Sequence, residues 1–232
     1  LPYNKWQQPS SNIALILYLL DKCLFRIGNY KYYDKYGTIG ILTLCEEHIT
    51  LNQSKKIVNI SFIGKKGVLN QCNLIDNKLF IIFKHLKMIK HNKPNEFLFD
   101  YKSNNYVLSI TIDDIQKVLN NYHPEITPKM FRTWHSNCCF IYLLKNKLDM
   151  LQSLENRNQL TKKIKTQMLK EACVLISKRL HNTPNVLKKS YLDHMLFDMF
   201  LNNTKKLLKL IQKYKNYNNE NTLINIENEI RK

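Results

Sequence analysis

The sequence predicts a mainly α protein with one small antiparallel β-sheet near its front, an α+β arrangement. Three observations carry this. Apolar residues recur at helical spacing over most of the chain, one stretch alternates with period two, and glycine occupies only 5 of 232 positions. A 44% apolar content with 11% aromatics is enough to bury a real core, which excludes wholesale disorder.

Taken in order, Ser10 to Ile27 reads as a helix, with Ser10 and Ser11 as caps and Gly28-Asn29 as its stop. A tyrosine-rich stretch from Tyr30 to Tyr36 ends at Gly37. Val58-Asn59-Ile60-Ser61-Phe62 alternates as a half-buried strand does, with Val58, Ile60 and Phe62 inward. Gly64-Lys65-Lys66-Gly67 reads as a tight turn into a second strand from Val68. Asn77 to Lys90 returns to helical spacing, with Leu79, Ile82, Phe83, Leu86 and Ile89 on one face. A loop with a proline follows over His91 to Asn95. Thr111 to Tyr122 reads as a short helix whose Asp113 and Asp114 suit the positive end of its dipole.

Thr127-Pro128 opens the next helix, through Phe131, Trp134 and the apolar run to Leu148. A long helix is expected from about Leu160 to Leu180, and a short one from Thr183-Pro184. A last amphipathic helix spans Met195 to Tyr214, and the Asn/Glu-rich tail after Asn216 is expected to be loosely held. The expected organisation is one catalytic domain over 1–215 and a polar tail over 216–232. Within the domain, 10–90 carries the first helix, sheet and hairpin, 91–195 a helical part, and 195–215 the C-terminal helix.

Charge narrows the partner. Lys+Arg number 36 against 18 Asp+Glu, a net +18 spread along the whole chain. A globular body this basic most simply serves a polyanion. A base-composition bias explains Lys over Arg but not Lys over Glu. Of the basic residues, 31 are Lys and 5 are Arg. Where Lys is the default, an Arg hints at a need for its planar, bidentate, permanently charged fork, although composition alone favours an ordinary surface arginine.

Several classes drop out. The longest apolar run, Ile13 to Leu20, is too short to span a bilayer, and no signal peptide is visible. Cys23, Cys45, Cys72, Cys138, Cys139 and Cys173 form no CxxC pair, which argues against a zinc ribbon. They read as reduced, mostly buried thiols of an intracellular protein. No glycine-rich phosphate loop is present, Gly64-Lys65 included, so no nucleotide cofactor is indicated. No HxxxH zinc pattern occurs either. Asp113-Asp114 are adjacent on a helix and do not face each other, so a helix-start role is preferred to nuclease chemistry. The chain starts at Leu1 without Met and reads as a piece of a larger protein.

Four blocks then appear in order. Arg26-Ile27-Gly28-Asn29, Tyr36-Gly37-Thr38-Ile39-Gly40-Ile41-Leu42-Thr43-Leu44 and His48-Ile49 resemble the first active-site block of type IB DNA topoisomerases. Phe62-Ile63-Gly64-Lys65-Lys66 is similar to their catalytic hairpin. Ile126 to Trp134 is similar to their second arginine block, and Leu180-His181-Asn182-Thr183-Pro184 with Lys188-Lys189-Ser190-Tyr191 to the block ending in the nucleophile. The flavour is that of the compact enzymes of bacteria, poxviruses and giant viruses.

The resemblance implies the tyrosine recombinase/type IB topoisomerase catalytic-domain fold and the following roles. Tyr191 attacks the phosphorus and joins the 3′ phosphate, a covalent step that conserves bond energy. Arg26 and Arg132 clamp the phosphate oxygens where charge accumulates. Lys65, with Lys66 as fallback, protonates the departing 5′ oxygen. Asn182 stands nine residues before Tyr191, in a slot where many relatives carry His; its amide hydrogen-bonds the phosphate, with His181 as second candidate. Tyr32, Lys66, Lys129, Lys188 and Lys189 are the expected duplex contacts.

The implied partner is double-stranded DNA, bound by a monomer with no membrane, nucleotide, cofactor or metal. The small amino-terminal DNA-clamping domain of such enzymes is expected to lie outside this chain. An intracellular setting follows: the virion or host cytoplasm for a viral source, otherwise the nucleoid or nucleus. Site-specific tyrosine recombinases share the catalytic logic, but their second block has His where this chain has Lys129, which favours a topoisomerase. A catalytically silent basic nucleic-acid-binding domain is the third reading.

Overall fold

In the computed structural model, which describes residues 8–93 and 96–231, the chain divides into two compact units, the first ending at Phe131 and the second beginning at Arg132. Helix α1 (Pro9–Cys23) starts with Pro9 in its first turn, so Ser10 and Ser11 lie inside the helix and the capping position falls to Gln8. It also stops earlier than its apolar pattern suggested. Leu24 turns left-handed (φ 54°), and Leu24 and Phe25 are buried on a segment that has left the helix. Packing, not Gly28-Asn29, ends it.

Helix α2 (Tyr30–Tyr36) is the tyrosine-rich stretch, capped by the Asn29 side chain at one end and Gly37 at the other. Strands β1 (Ile49–Asn52), β2 (Ile57–Ile63) and β3 (Leu69–Ile75) form one antiparallel sheet in that order. Val58, Ile60 and Phe62 point inward, as the alternation required. Helix α3 (Asn77–Lys90), capped by Asp76 on the Leu79 N–H at 2.8 Å, buries Leu79, Ile82, Phe83 and Leu86, while Ile89 is only half-buried. Of the expected His91–Asn95 loop, Pro94 and Asn95 lie outside the described residues.

A second sheet went unforeseen: β4 (Tyr101–Ser103) and β5 (Tyr106–Leu108) make a small hairpin. Three-residue strands carry too little alternation to read. Helix α4 (Ile112–Asn120) has a reciprocal cap in which Asp114 accepts from the Thr111 N–H and Thr111 from the Asp114 N–H, at 2.9 and 3.2 Å.

Helix α5 (Pro128–Asn146) spans the boundary between the units. The second unit then carries α6 (Leu148–Asn156), α7 (Lys162–Arg179), α8 (Pro184–Ser190), α9 (His194–Asn202), α10 (Thr204–Lys213) and α11 (Asn219–Arg231). The expected single helix over Met195–Tyr214 is two, broken at Asn203. The expected loose tail is α11. Thr222, Leu223 and Ile226 are fully buried, and Glu229 accepts from Lys213 Nζ at 2.8 Å and from the Tyr214 hydroxyl at 2.9 Å. Few apolar residues suffice when they share one helical face. The core of this unit includes Phe140 packed on Phe197 and Phe200.

The cysteines need one correction. Cys23 and Cys72 are joined as a disulfide, their Cα atoms 5.5 Å apart, while Cys45, Cys138, Cys139 and Cys173 are free thiols. A bridge between residues 49 apart in sequence leaves no spacing motif to read. Among the described residues no helix is long and apolar enough to cross a membrane.

Candidate active site

The first unit carries Arg26, Tyr32, Lys65, Lys66 and Lys129. Arg26 is half-buried, on the segment between α1 and α2. Its backbone is held by a chain crossing: the Ile41 N–H donates to the Arg26 carbonyl at 3.0 Å and the Leu42 N–H to the Ile27 carbonyl at 2.9 Å. The crossing is possible because Gly28 and Gly40 lie backbone against backbone. A Cβ on Gly40 would stand 2.5 Å from the Gly28 Cα, and one on Gly28 2.8 Å from the Gly40 Cα. That contact is the physical reason for two glycines twelve residues apart in the first block.

The β2–β3 hairpin presents Lys65 and Lys66 to solvent. Gly64 donates to the Val68 carbonyl at 2.9 Å, closing the tip. Behind it Asn70, only 1% exposed, donates to the same carbonyl at 2.8 Å, and a Cβ on Gly64 would meet its amide at 2.5 Å. Lys65 Nζ lies 5.6 Å from the ring centre of Tyr32. Between α2 and this tip is an open cleft of about 590 Å³, lined by Tyr32, Tyr36, Gly37, Thr38 and residues 63–67. Helix α2 has no fully buried residue. Its seat is Phe97, which receives the edges of Tyr33 and Tyr30 at 5.1 and 5.8 Å.

His48, from the first block, has a structural place. Its Nδ1 accepts from the Cys45 N–H at 2.8 Å and its ring packs on Phe62, and burial pushes its pKa below the ordinary 6.5. Lys129 is exposed in the first turn of α5.

The second unit brings Arg132 and Tyr191 together. Arg132 is 2% exposed, and its Nη2 donates to the Leu180 carbonyl at 2.7 Å. Its guanidinium carbon lies 4.9 Å from the ring centre of Tyr191, which is itself 8% exposed. Tyr191 follows the last residue of α8 and donates its N–H to the Leu187 carbonyl at 3.0 Å. Asn182 and His181 stand at the other end of α8, both half-buried, in the turn leaving α7. Lys188 and Lys189 are exposed on α8.

Left-handed backbone at non-glycine residues costs energy. Leu24, Lys66 and His181 adopt it at φ 54°, 64° and 50°. Each stands within two residues of a candidate, Arg26, Lys65 and Asn182 respectively, whereas Lys56, Asn92, Asn104 and Asn158 adopt it more than two residues from any candidate.

Sequence reasoning missed Asn137. This buried α5 amide accepts from the Asp193 N–H at 2.9 Å and donates to the Tyr191 carbonyl at 3.5 Å. It thereby holds the backbone of Tyr191 to the helix that carries Arg132. The available signal was a polar Asn in an apolar helical run, one of several such residues. Asn70 and the Leu180 carbonyl were equally illegible. Among the described residues, no group of three or more His, Cys, Asp or Glu is placed to hold a metal ion.

The family model described as eukaryotic DNA topoisomerase I, catalytic core, matches residues 3–221. Among curated relatives, DNA topoisomerase 1 of Candidozyma auris is 29% identical over 155 residues, covering 66% of this chain and 18% of that protein. DNA topoisomerase 1 of Drosophila melanogaster is 28% identical over 156 residues, covering 64% and 15%. DNA topoisomerase 1B of Vaccinia virus is 25% identical over 198 residues, covering 84% and 56%. The chain thus spans less than a fifth of these cellular relatives and just over half of the viral one. With a match across nearly its whole length, the chain belongs to the type IB DNA topoisomerase family, as a catalytic-core segment.

Proposed function

We propose that this chain is the strand-cleaving core of an enzyme that relaxes supercoiled duplex DNA by transient single-strand cleavage, rotation and religation. Tyr191 attacks the scissile phosphorus, its oxygen forms the new bond to the 3′ phosphate, and the 5′ oxygen leaves. Arg26 and Arg132 take the non-bridging oxygens, and Lys65 gives the leaving oxygen its proton. Asn182 adds a neutral hydrogen bond to the phosphate, with His181 as second candidate. Tyr32, Lys66, Lys129, Lys188 and Lys189 hold the duplex backbone. The chain acts as a monomer and needs neither ATP nor metal, because the phosphotyrosyl bond keeps the energy and side chains supply the positive charge.

The observation that carries the reading is the buried Arg132–Tyr191 pair at 4.9 Å. An arginine that only served the surface has no reason to be 2% exposed against a phenol. In this arrangement the ring covers the guanidinium, and phosphate binding exchanges the aromatic face for the anion.

The test is plasmid relaxation in EDTA without ATP, with trapping of labelled DNA on a denaturing gel. The wild-type chain is expected to relax DNA and leave a covalent adduct. Tyr191→Phe is expected to abolish both. Relaxation by the Phe variant, or an absolute metal requirement in the wild type, overturns the proposal.

A further inference from the structure

Cys23 is the last residue of α1, and Cys72 lies in the middle of β3 opposite Ile60. Their bond closes a loop of sequence separation 49. Inside that loop lie Arg26, Tyr32, Lys65 and Lys66. One anchor stands three residues before Arg26, and the other on the strand that leaves the Lys65 tip. Beside the bridge, the same two arms meet through Phe25 and Phe62, with ring centres 4.8 Å apart. Closing the bond therefore ties the Arg26 segment to the hairpin covalently. Opening it removes that covalent tie and leaves the Phe25–Phe62 contact in place. The two residues differ in access: Cys23 is 4% exposed, whereas Cys72 is half-buried.

We propose that Cys23 and Cys72 form a redox-operated staple, and that Cys72 is the entry thiol for a low-molecular-weight disulfide such as glutathione disulfide. The Cys72 thiol gives up its proton and its thiolate attacks one sulfur of the reagent. The reagent S–S bond breaks, and one glutathione leaves as a thiolate that takes up a proton. The Cys23 thiol then gives up its proton, its thiolate attacks the Cys72 sulfur, and the second glutathione leaves as a thiolate that takes up a proton. Two protein thiols are oxidised to one disulfide, and one glutathione disulfide is reduced to two thiols. Excess thiol runs the sequence backwards. The bridged form holds the two arms in a fixed arrangement, which favours reaction when both must meet one phosphate.

The test uses the full chain, equilibrated with glutathione disulfide or with excess reduced glutathione, quenched by alkylation, digested and mapped by mass. A Cys23–Cys72 linked peptide is expected under oxidation only. Cys23→Ser is expected to accumulate glutathione on Cys72, while Cys72→Ser leaves Cys23 unmodified. Absence of the linked peptide, or equal capture by both single variants, overturns the proposal.

An activity arm rests on the strand-cleaving reading. Single-turnover adduct formation on labelled duplex is expected to fall about tenfold on reduction. The Cys23→Ser/Cys72→Ser double variant is expected to show the reduced rate in either condition, with circular dichroism confirming its fold. Equal wild-type rates with the bridge present and absent overturn the staple. If no adduct forms in either state while the linked peptide does, the strand-cleaving reading fails and the bridge stands.

Discussion

Arg26 and Arg132 are the same residue type held in opposite ways. In the first unit the backbone of Arg26 is fixed, by a glycine crossing and a hydrogen bond from the Ile41 N–H to its carbonyl, and the side chain is half-buried. In the second unit the side chain is fixed, buried on α5, bonded to the Leu180 carbonyl and stacked on Tyr191. The difference teaches that a cation can be positioned through its main chain or through its fork. Only the second route makes the fork itself a structural part.

The largest effect should come from replacing that fork. Arg132→Lys is expected to lower single-turnover cleavage about 100-fold and to lower the melting temperature, since an ammonium cannot match a planar donor set. Arg26→Lys should lower cleavage while leaving the melting temperature near wild type. Equal thermal losses in the two variants would erase the contrast. Next comes the crossing. Gly40→Ala pushes a methyl into the Gly28 backbone and is expected to cost about 2–4 kcal/mol by denaturant unfolding. Gly37→Ala, at φ 59° with open space around it, should cost only about 1 kcal/mol. Similar losses at both positions would mean that the crossing is not the constraint.

Asn137→Ala tests the backbone hold on Tyr191. Leaving the Asp193 N–H without its acceptor is expected to cost about 1–2 kcal/mol and to slow cleavage, and Asn137→Asp, which keeps that acceptor but turns a buried carboxylate oxygen on the Thr133 and Tyr191 carbonyls, should recover little of it. The smallest expected effect is a pH dependence in the first unit. Burial lowers the His48 pKa below 6.5 in the folded state, so the unfolded chain takes up the proton first as pH falls. Stability is fully present above pH 6.5 and declines as pH drops toward the lower folded value. Glu47, 3.7 Å from the ring, tempers the shift. Thermal melts at stepped pH should show a smaller decline for His48→Gln; identical slopes would assign the pH dependence elsewhere.

Much of the fold was legible because it is local. The period-two run of Val58, Ile60 and Phe62, the Asn77–Lys90 helix and the helix starts at Thr111 and Thr183 all depend on neighbours within a few residues. The candidate residues were legible only through the resemblance of the four blocks to type IB topoisomerases, with Asn182 nine residues before Tyr191 and Lys65 directly after Gly64. Failures came where distant packing overrides local preference. Leu24 ends α1 while apolar pattern continues, Asn203 divides a helix that periodicity would run on, and Leu223 with Ile226 orders a segment whose composition looks loose.

What the sequence by itself determined was the class of elements, the basic character of the body and the order of the four blocks, since periodicity, charge and spacing are properties of the chain alone. The tertiary structure decided which groups meet. It set the Gly28–Gly40 crossing, the Cys23–Cys72 bridge, the Asn137 hold on Tyr191 and the burial of Arg132 against a phenol 59 residues away. Each is a contact between residues far apart in sequence, where close packing and hydrogen-bond satisfaction select the neighbour and no local pattern encodes the choice.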